Sequence, residues 1–178
     1  MKFGLYLTYG LTWALSRLPM RVLYALSGCL FPLIYHIARY RRKLVRRQLQ
    51  ECFPQQPAQW RRQVERKFYH FFCDYIVETL KLMHMGSREI ERRVTWDGLE
   101  ELQAEMRTRG KKFAVAYLGH YGNWEWVASF SSHLAPDFGG AQIYHPLKNK
   151  RVDRFFLKLR RQFGGDCIAM KEALRHII

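Results

Sequence analysis

The sequence lacks the cysteine patterns that mark disulfide scaffolds and zinc sites. It has four cysteines in 178 residues, with no CxxC pair and no zinc-like spacing to histidine. They are Cys29, Cys52, Cys73 and Cys167. A disulfide-rich secreted fold is therefore excluded, and we expect reduced, mostly buried thiols in a protein that faces the cytosol. Internal repeats and low-complexity tracts are also lacking, and the length predicts roughly one domain.

Acidic residues are scarce. The chain carries 15 Asp+Glu against 30 Lys+Arg, which gives a formal net charge of +15. This excess favours anionic partners, namely phospholipid headgroups, nucleic acid or an acidic protein, although a merely solubilising basic surface gives the same count. No RNP motif or zinc-finger spacing accompanies the charge, so we expect no nucleic-acid partner. A non-enzymatic basic protein that binds membrane surfaces or nucleic acid remains the alternative class.

Apolar runs of full membrane-spanning length are also absent. Residues 3–16 and 22–38 contain no Lys, Arg, Asp or Glu, but neither run reaches the ~20 residues that a spanning helix usually needs. An arginine-rich segment, residues 39–47, follows where a signal peptide would have small residues and a cleavage site. We therefore predict that residues 1–47 anchor the chain to a membrane, as one tilted span or two interfacial helices, with the basic cluster among anionic headgroups. A buried core helix is the alternative.

The remaining sequence, residues 48–178, predicts an α/β domain. Residues 58–85 carry apolar side chains at helical spacing, with arginines mostly on the other side, which predicts a long amphipathic helix. Beyond it, short apolar runs alternate with helical stretches. The predicted strands are 94–96, 113–118, 141–144 and 167–169, and the predicted helices are 99–109, 124–133, 148–163 and 171 onward. This alternation favours a mostly parallel sheet flanked by helices.

The most informative segment is GHYGNWE, which directly follows the predicted strand 113–118. Ligands of parallel sheets usually bind beyond the carboxyl ends of the strands. His120 in this segment carries the side chain best suited to accept a proton near neutral pH, and Glu125 at the start of the next helix can orient it. Gly122 keeps the turn free of steric bulk, and Asn123 can cap the helix.

Four interpretations compete for this loop. A nucleophile is not predicted, because no Ser or Cys stands in a GxSxG elbow. A metal site stays open but disfavoured, because one His and one Glu lack the HxxxH spacing of zinc-binding helices. A structural histidine also stays open, but it does not explain the glycines around it. A general base without its own nucleophile suits the transfer of an acyl group from a thioester to a substrate hydroxyl.

The string HYGNWE resembles the HxxxxE motif of the bacterial lipid A biosynthesis acyltransferases, the late lauroyl/myristoyl-transferring branch of the lysophospholipid acyltransferase superfamily. Other features are similar to that family. They are the apolar N-terminus running into the arginine-rich segment, Phe53-Pro54, the stretch DYIVE from Asp74, YHPLKN from Tyr144 and RRQFGG from Arg160. The resemblance covers essentially the whole chain.

The resemblance implies an O-acyltransferase that moves a fatty acyl chain from an acyl carrier protein thioester to a hydroxyl of a Kdo-bearing lipid A precursor. It implies a location at the cytoplasmic face of the bacterial inner membrane, and no metal or other cofactor. An acidic carrier protein and a phosphorylated acceptor both suit a chain of charge +15. A glycerolipid acceptor, as in a lysophospholipid acyltransferase, is the alternative substrate.

The same resemblance assigns roles to individual residues. His120 and Glu125 become the catalytic dyad, and Arg160 binds phosphate or polarises the donor carbonyl. Gly122 and Asn123 shape the loop at the substrate site. The alternative for Arg160 is a solvated basic helix face. Members of the family are roughly twice as long as this chain, so we expect the acyltransferase domain to be incomplete at its C-terminus, and the activity of these residues alone stays open.

Overall fold

The computed structural model describes residues 10–177, and the side chains of residues 10–176. The chain divides into two compact units, Met1–His84 and Met85–Ile178. The apolar, arginine-rich segment 1–47 belongs to the first unit together with the long helix that follows it. The predicted domain boundary after residue 47 stays a prediction.

The first unit is helical over most of its described residues. Residues 10–16 are helical, and the rest of the predicted apolar run 3–16 lies outside the described residues. Helix α1 (Met20–Pro32) continues as a π-helix over Leu33–Ile37, and α2 (Arg42–Cys52) and α3 (Ala58–Leu82) follow. The stretch Met20–Ile37 is long and apolar enough to cross a membrane, a criterion that a core helix or a signal sequence also meets.

Helix α1 packs against α3 along one face. The buried residues of α1 and its continuation recur every three or four positions: Met20, Leu23, Ser27, Phe31 and Tyr35. The last two join Tyr69 and Cys73 of α3 in one core cluster. Between the helices, Ser27 Oγ donates a hydrogen bond of 2.5 Å to Asp74 Oδ1. The helical period of the apolar residues thus places one face of α1 in the core of this unit.

The opposite face of α1 and its continuation is apolar and exposed. Leu33 is 51% exposed, Ile37 is 73% exposed and Val22 is 43% exposed. A helix that is apolar all round is typical of a large core or of a lipid environment. This surface agrees with the predicted membrane association and does not choose between a span and an interfacial helix.

Part of the arginine-rich segment is engaged within the protein. The Nε atoms of Arg42 and Arg46 donate to Oε1 and Oε2 of Glu65 at 3.2 and 2.8 Å. Glu65 is only 1% exposed. Its hydrogen bond raises the pKa of the Arg46 guanidinium further above its usual value. Two of the arginines predicted to lie among headgroups are therefore held by a buried carboxylate.

The second unit contains one two-stranded sheet among its described residues. Its elements are α4 (Ser87–Glu91), α5 (Leu99–Thr108), a 3₁₀ helix (Trp124–His133), β1 (Ala141–Tyr144), α6 (Lys150–Arg161), β2 (Asp166–Ala169) and α7 (Ala173–Ile177). Strands β1 and β2 are parallel, with Ala141 opposite Asp166 and Tyr144 opposite Ala169. Helix α6 connects them, so the three elements form a βαβ unit. The described chain is mostly helical, and the predicted parallel sheet is confirmed only as this small sheet.

Two predicted strands are wrong. Residues 94–96 and 113–118 are irregular, and every residue from 111 to 121 is exposed. Apolar side chains in this segment face solvent, with Phe113 68% exposed and Tyr117 94% exposed. Strand formation needs a neighbouring strand to accept and donate backbone hydrogen bonds, and none pairs with these segments within the described residues. The apolar run alone was not sufficient evidence for a strand.

The predicted helix 124–133 forms, but as a 3₁₀ helix. Serine hydroxyls bond carbonyls three residues back, from Ser129 Oγ to Trp126 O at 2.7 Å and from Ser132 Oγ to Ser129 O at 2.8 Å. Such side-chain bonds compete with the α-helical ladder. Ser131 packs against the backbone at Gly140 and Gly165, where an added Cβ would overlap its hydroxyl. Close packing therefore explains a glycine at both positions beside the sheet.

Candidate active site

The irregular segment 111–123 carries His120 to the start of the 3₁₀ helix. The imidazole is exposed and contacts the Trp124 ring edge-on, with ring centroids 5.1 Å apart. Gly122 has a φ of +63°, a left-handed conformation that glycine adopts without steric cost. The backbone thus turns sharply between the histidine and the helix, as predicted for Gly122.

Glu125 lies in the first turn of the 3₁₀ helix and is only 4% exposed. Both of its carboxylate oxygens accept hydrogen bonds from Arg160 of α6. Arg160 Nε donates to Oε2 at 3.1 Å, and Nη2 donates to Oε1 at 2.9 Å. Two parallel charge-assisted bonds of this kind fix both the position and the plane of the carboxylate.

The ion pair is itself largely shielded from water. The Arg160 side chain is 22% exposed, and its guanidinium lies over the Phe156 ring at 5.4 Å from the centroid. Arg160 stands in the last turn of α6, where a positive charge complements the helix dipole. The alternative prediction of a solvated basic face does not describe this arginine. Its partner is a buried carboxylate 35 residues away in sequence.

The structure therefore joins two of the predicted site residues in an unexpected pair. Glu125 and Arg160 contact each other directly, whereas the predicted orientation of His120 by Glu125 stays a prediction. The predicted helix cap is wrong. Within the residues that the structure describes, the side chain of Asn123 makes no capping hydrogen bond to the 3₁₀ helix that it precedes. Its φ of −90° and ψ of 83° place it in the loop before the helix.

The segment YHPLKN forms the start of the helix that carries Arg160. Asn149 caps α6 by accepting hydrogen bonds from the backbone N–H groups of Arg151 and Val152 at 3.0 and 3.4 Å. Asp153 accepts a hydrogen bond of 2.8 Å from the backbone N–H of Leu147. These bonds set where α6 begins, and the helix then delivers Arg160 three turns later.

Sequence reasoning missed the residues that hold the far end of the 3₁₀ helix. Gln103 is 5% exposed, and its Oε1 accepts a hydrogen bond of 2.8 Å from the backbone N–H of Ala135. His133 Nε2 donates to the carbonyl oxygen of Val94 at 3.0 Å. Neither residue belongs to a motif, and both act on segments more than 30 positions away. No local pattern could have identified them.

Within the described part of the chain, the cysteines and the acidic residues form no second reactive centre. All four cysteines are free thiols, but only Cys73 and Cys167 are buried, so the expectation of mostly buried thiols holds for half of them. Burial raises the pKa of both buried thiols, which keeps them protonated and poorly nucleophilic. Over residues 10–177, no cluster of three or more His, Cys, Asp or Glu side chains is placed to hold a metal ion.

Comparisons with known proteins identify the family of the chain. The bacterial lipid A biosynthesis acyltransferase family matches the chain over residues 1–178. A lipid A biosynthesis acyltransferase of Haemophilus influenzae is 24% identical over 173 residues, covering 97% of this chain and 53% of that protein. The chain thus spans about half the length of the curated relative it matches. No solved structure gives a significant match. The chain belongs to the bacterial lipid A biosynthesis acyltransferase family.

Proposed function

We propose that this protein contributes the HxxxxE site of an O-acyltransferase, which transfers a fatty acyl chain from an acyl carrier protein thioester to a hydroxyl of a Kdo-lipid A precursor. Family membership supports acyl transfer in lipid A synthesis. One structural observation carries the site assignment. An exposed histidine stands five residues before a buried, arginine-bound glutamate, at the end of an open loop.

His120 is the general base in this proposal. Its imidazole removes the proton of the acceptor hydroxyl while that oxygen attacks the thioester carbonyl. The tetrahedral intermediate then collapses, the carbon–sulfur bond breaks, and the imidazolium returns the proton to the departing thiolate. The exposure of His120 supports this role, because an acceptor hydroxyl can reach the ring from solvent. Leu118 and Tyr121, on either side, are 59% and 94% exposed and offer apolar surface to an acyl chain.

Glu125 positions the base and Arg160 positions Glu125. A carboxylate has about four lone-pair sites, of which Arg160 occupies two, so Glu125 retains sites that can accept from the imidazole. Gly122 and Asn123 shape the loop between the two residues. Arg160 also stays a candidate to contact the donor carbonyl or an acceptor phosphate. Its ion pair with Glu125 favours the positioning role over a direct contact with either substrate.

The proposed substrates and location rest on the net charge of the chain and on its apolar surface. The net charge of +15 suits an acidic carrier protein and a phosphorylated lipid acceptor. Family membership and the apolar stretch Met20–Ile37 support membrane association. The proposed location is the cytoplasmic face of the bacterial inner membrane, where the arginine-rich segment after Ile37 faces anionic lipid.

The activity is tested with membranes that contain the complete gene product. These are incubated with acyl carrier protein thioesters and a Kdo-lipid A precursor, and the product is read by mass. We expect one added acyl chain per acceptor. Lysophospholipid acceptors are tested in parallel, because the same loop chemistry would serve them. Acylation of lysophospholipid alone would replace the proposed acceptor, and absence of acylation from every donor would contradict the function.

A pH–rate profile tests the pairing of His120 with Glu125. In the variant Glu125→Gln we expect a substantially lower rate and a displaced profile, since a neutral amide no longer stabilises the imidazolium. Glu91→Gln, at an exposed position of α4, is the matched control. A variant that is slower but keeps the wild-type pH dependence would show that Glu125 acts on the fold and not on the base.

A further inference from the structure

The first unit contains a pocket between α2 and the start of α3 that the proposed acyl transfer does not use. Its volume is about 230 Å³, and its charged lining residues are Arg46, Arg61, Arg62 and Glu65. Three arginines against one glutamate leave a formal excess of two positive charges. The pocket is smaller than the ~300–1,000 Å³ typical of sites for drug-sized ligands, so it suits a headgroup-sized anion.

The charge of the one carboxylate in the pocket is already engaged by two arginines. Glu65 accepts from Arg46 within the pocket and from Arg42 beside it, at 2.8 and 3.2 Å. A single buried negative charge is thus shared between two guanidinium groups, and the pair of arginines retains a net positive charge. The same bonds fix the guanidinium of Arg46 on the pocket wall, which pre-organises a donor for an anionic ligand.

The other two arginines are not neutralised by the acid either. Arg61 Nη1 donates to the carbonyl oxygens of Phe53, at 3.2 Å, and of Gln56, in the turn between α2 and α3. Carbonyl oxygens fix the side chain but leave its charge uncompensated. Arg62 is exposed at the next position. Both arginines therefore present full positive charge at one end of the pocket.

Helix geometry adds to this excess. The first turn of α3 contains no acidic residue and no side-chain cap, and Pro57 precedes it. Helix starts favour negative charge because the N-terminal end of the helix dipole is positive. A long helix that begins with arginines is electrostatically unfavourable, and an anion bound beside it relieves the repulsion. The helix start and the arginines therefore both favour a bound anion.

We propose that this pocket binds the phosphate group of an anionic phospholipid headgroup. Guanidinium groups match phosphate oxygens in charge and geometry. Two observations favour a lipid over a free phosphate ion. The segment Met20–Ile37, with its exposed apolar face, lies in the same unit and is the helical segment before α2. The rings of Phe53 and Trp60 pack edge to face at the turn beside the pocket, with their centroids 5.3 Å apart. Aromatic residues are enriched at the headgroup level of membranes.

The test uses a monomeric lipid, so that a pocket and a diffuse surface charge give different results. Dihexanoyl phosphatidylglycerol is titrated into the full chain in nonionic detergent, without any acyl donor. We expect saturable binding of one lipid per chain. The variant Arg62→Gln removes one charge-assisted contact and weakens binding about tenfold. Arg66→Gln removes the same charge one turn further along α3, at an exposed residue that does not line the pocket, and leaves binding within about twofold.

Two outcomes would overturn the proposal. Equal weakening by Arg62→Gln and Arg66→Gln would show that net charge, and not the pocket, attracts the lipid. Inorganic phosphate that binds as tightly as the lipid would replace the lipid assignment with a free anion. Circular dichroism confirms that both variants are folded. Because no acyl donor is present, these results are independent of whether the protein transfers acyl chains.

Discussion

The two units each bury a glutamate against arginine, but they do so in opposite ways. In the first unit Glu65 is shared by two guanidinium groups, one of them half exposed. In the second unit Glu125 accepts two hydrogen bonds from Arg160, and the pair has little access to solvent. The first arrangement leaves surplus positive charge at a pocket, whereas the second is a neutral pair. In our proposals, the same pairing of glutamate with arginine attracts an anion in the first unit and positions a catalytic carboxylate in the second.

The comparison has an energetic consequence. Removal of one partner from a buried ion pair leaves an uncompensated charge, which costs far more than the net stabilisation that the intact pair provides. Among residues 10–176, Glu125 forms an ion pair with one arginine, whereas Glu65 forms ion pairs with two. When an arginine is removed, the free energy of unfolding falls. We expect the size of this fall to depend on whether a second arginine binds the same carboxylate, and on how exposed the lost side chain was, more than on hydrogen-bond length.

The largest effect is expected for Arg160→Gln. The change leaves Glu125 buried without a guanidinium partner, so the free energy of unfolding should fall by about 3–5 kcal/mol. Urea denaturation followed by circular dichroism measures it. Lys158→Gln, at an exposed position of the same helix, should change the free energy by less than about 0.5 kcal/mol. Similar values for the two variants would mean that the ion pair does not stabilise this unit.

A smaller effect is expected for Arg46→Gln. Arg42 still neutralises Glu65, and the lost side chain was 52% exposed, so the cost should be about 1 kcal/mol. The same urea experiment applies, with Arg66→Gln as the exposed control. If Arg46→Gln proved as costly as Arg160→Gln, redundancy would not explain the difference between the two units.

The smallest effect is expected at the exposed pair of Asp137 with Arg107. Two hydrogen bonds, of 2.8 and 2.7 Å, join side chains that are each about half exposed. The bonds hold the pKa of Asp137 below its ordinary 3.8. A carboxyl with a lowered pKa in the folded state stabilises the fold above its unfolded pKa, and this is lost as the pH falls through the folded value.

The variant Asp137→Asn should therefore unfold at slightly lower urea than the parent at neutral pH. The difference should vanish in acid, below the lowered pKa, and shrink at high salt, which screens exposed pairs. A difference that persists unchanged at low pH would show that the carboxylate charge is not what Arg107 binds.

Local pattern was sufficient for most of the helices and for the two strands that form. The periodicity of residues 58–85 predicted α3, observed as Ala58–Leu82. The apolar runs at 141–144 and 167–169 became β1 and β2 because α6 brings them side by side. The same kind of run at 113–118 did not become a strand. Strand formation depends on a neighbour that periodicity cannot supply.

The contact between Glu125 and Arg160 was not predicted from the sequence, and the pairing of Glu125 with His120 stays a prediction. His120, Glu125 and Arg160 were all identified from motif and resemblance. The spacing of the two residues in one loop predicted that Glu125 contacts His120. Inference from a single sequence can compare only residues that lie close together along the chain. The partner in the structure is Arg160, on another helix. Which arginine approaches a buried carboxylate is a property of tertiary packing, as it is for Arg42 and Arg46 at Glu65.

The central claim is that His120 removes the proton in acyl transfer, and one measurement tests it directly. Single-turnover transfer from an acyl carrier protein thioester is compared for the complete gene product, His120→Ala and His176→Ala, the last at an exposed position of α7. Loss of a general base should slow the chemical step by about 10²–10⁴-fold in His120→Ala, and His176→Ala should match the parent. Transfer by His120→Ala at the parent rate, with its fold and membrane association intact, would contradict the account.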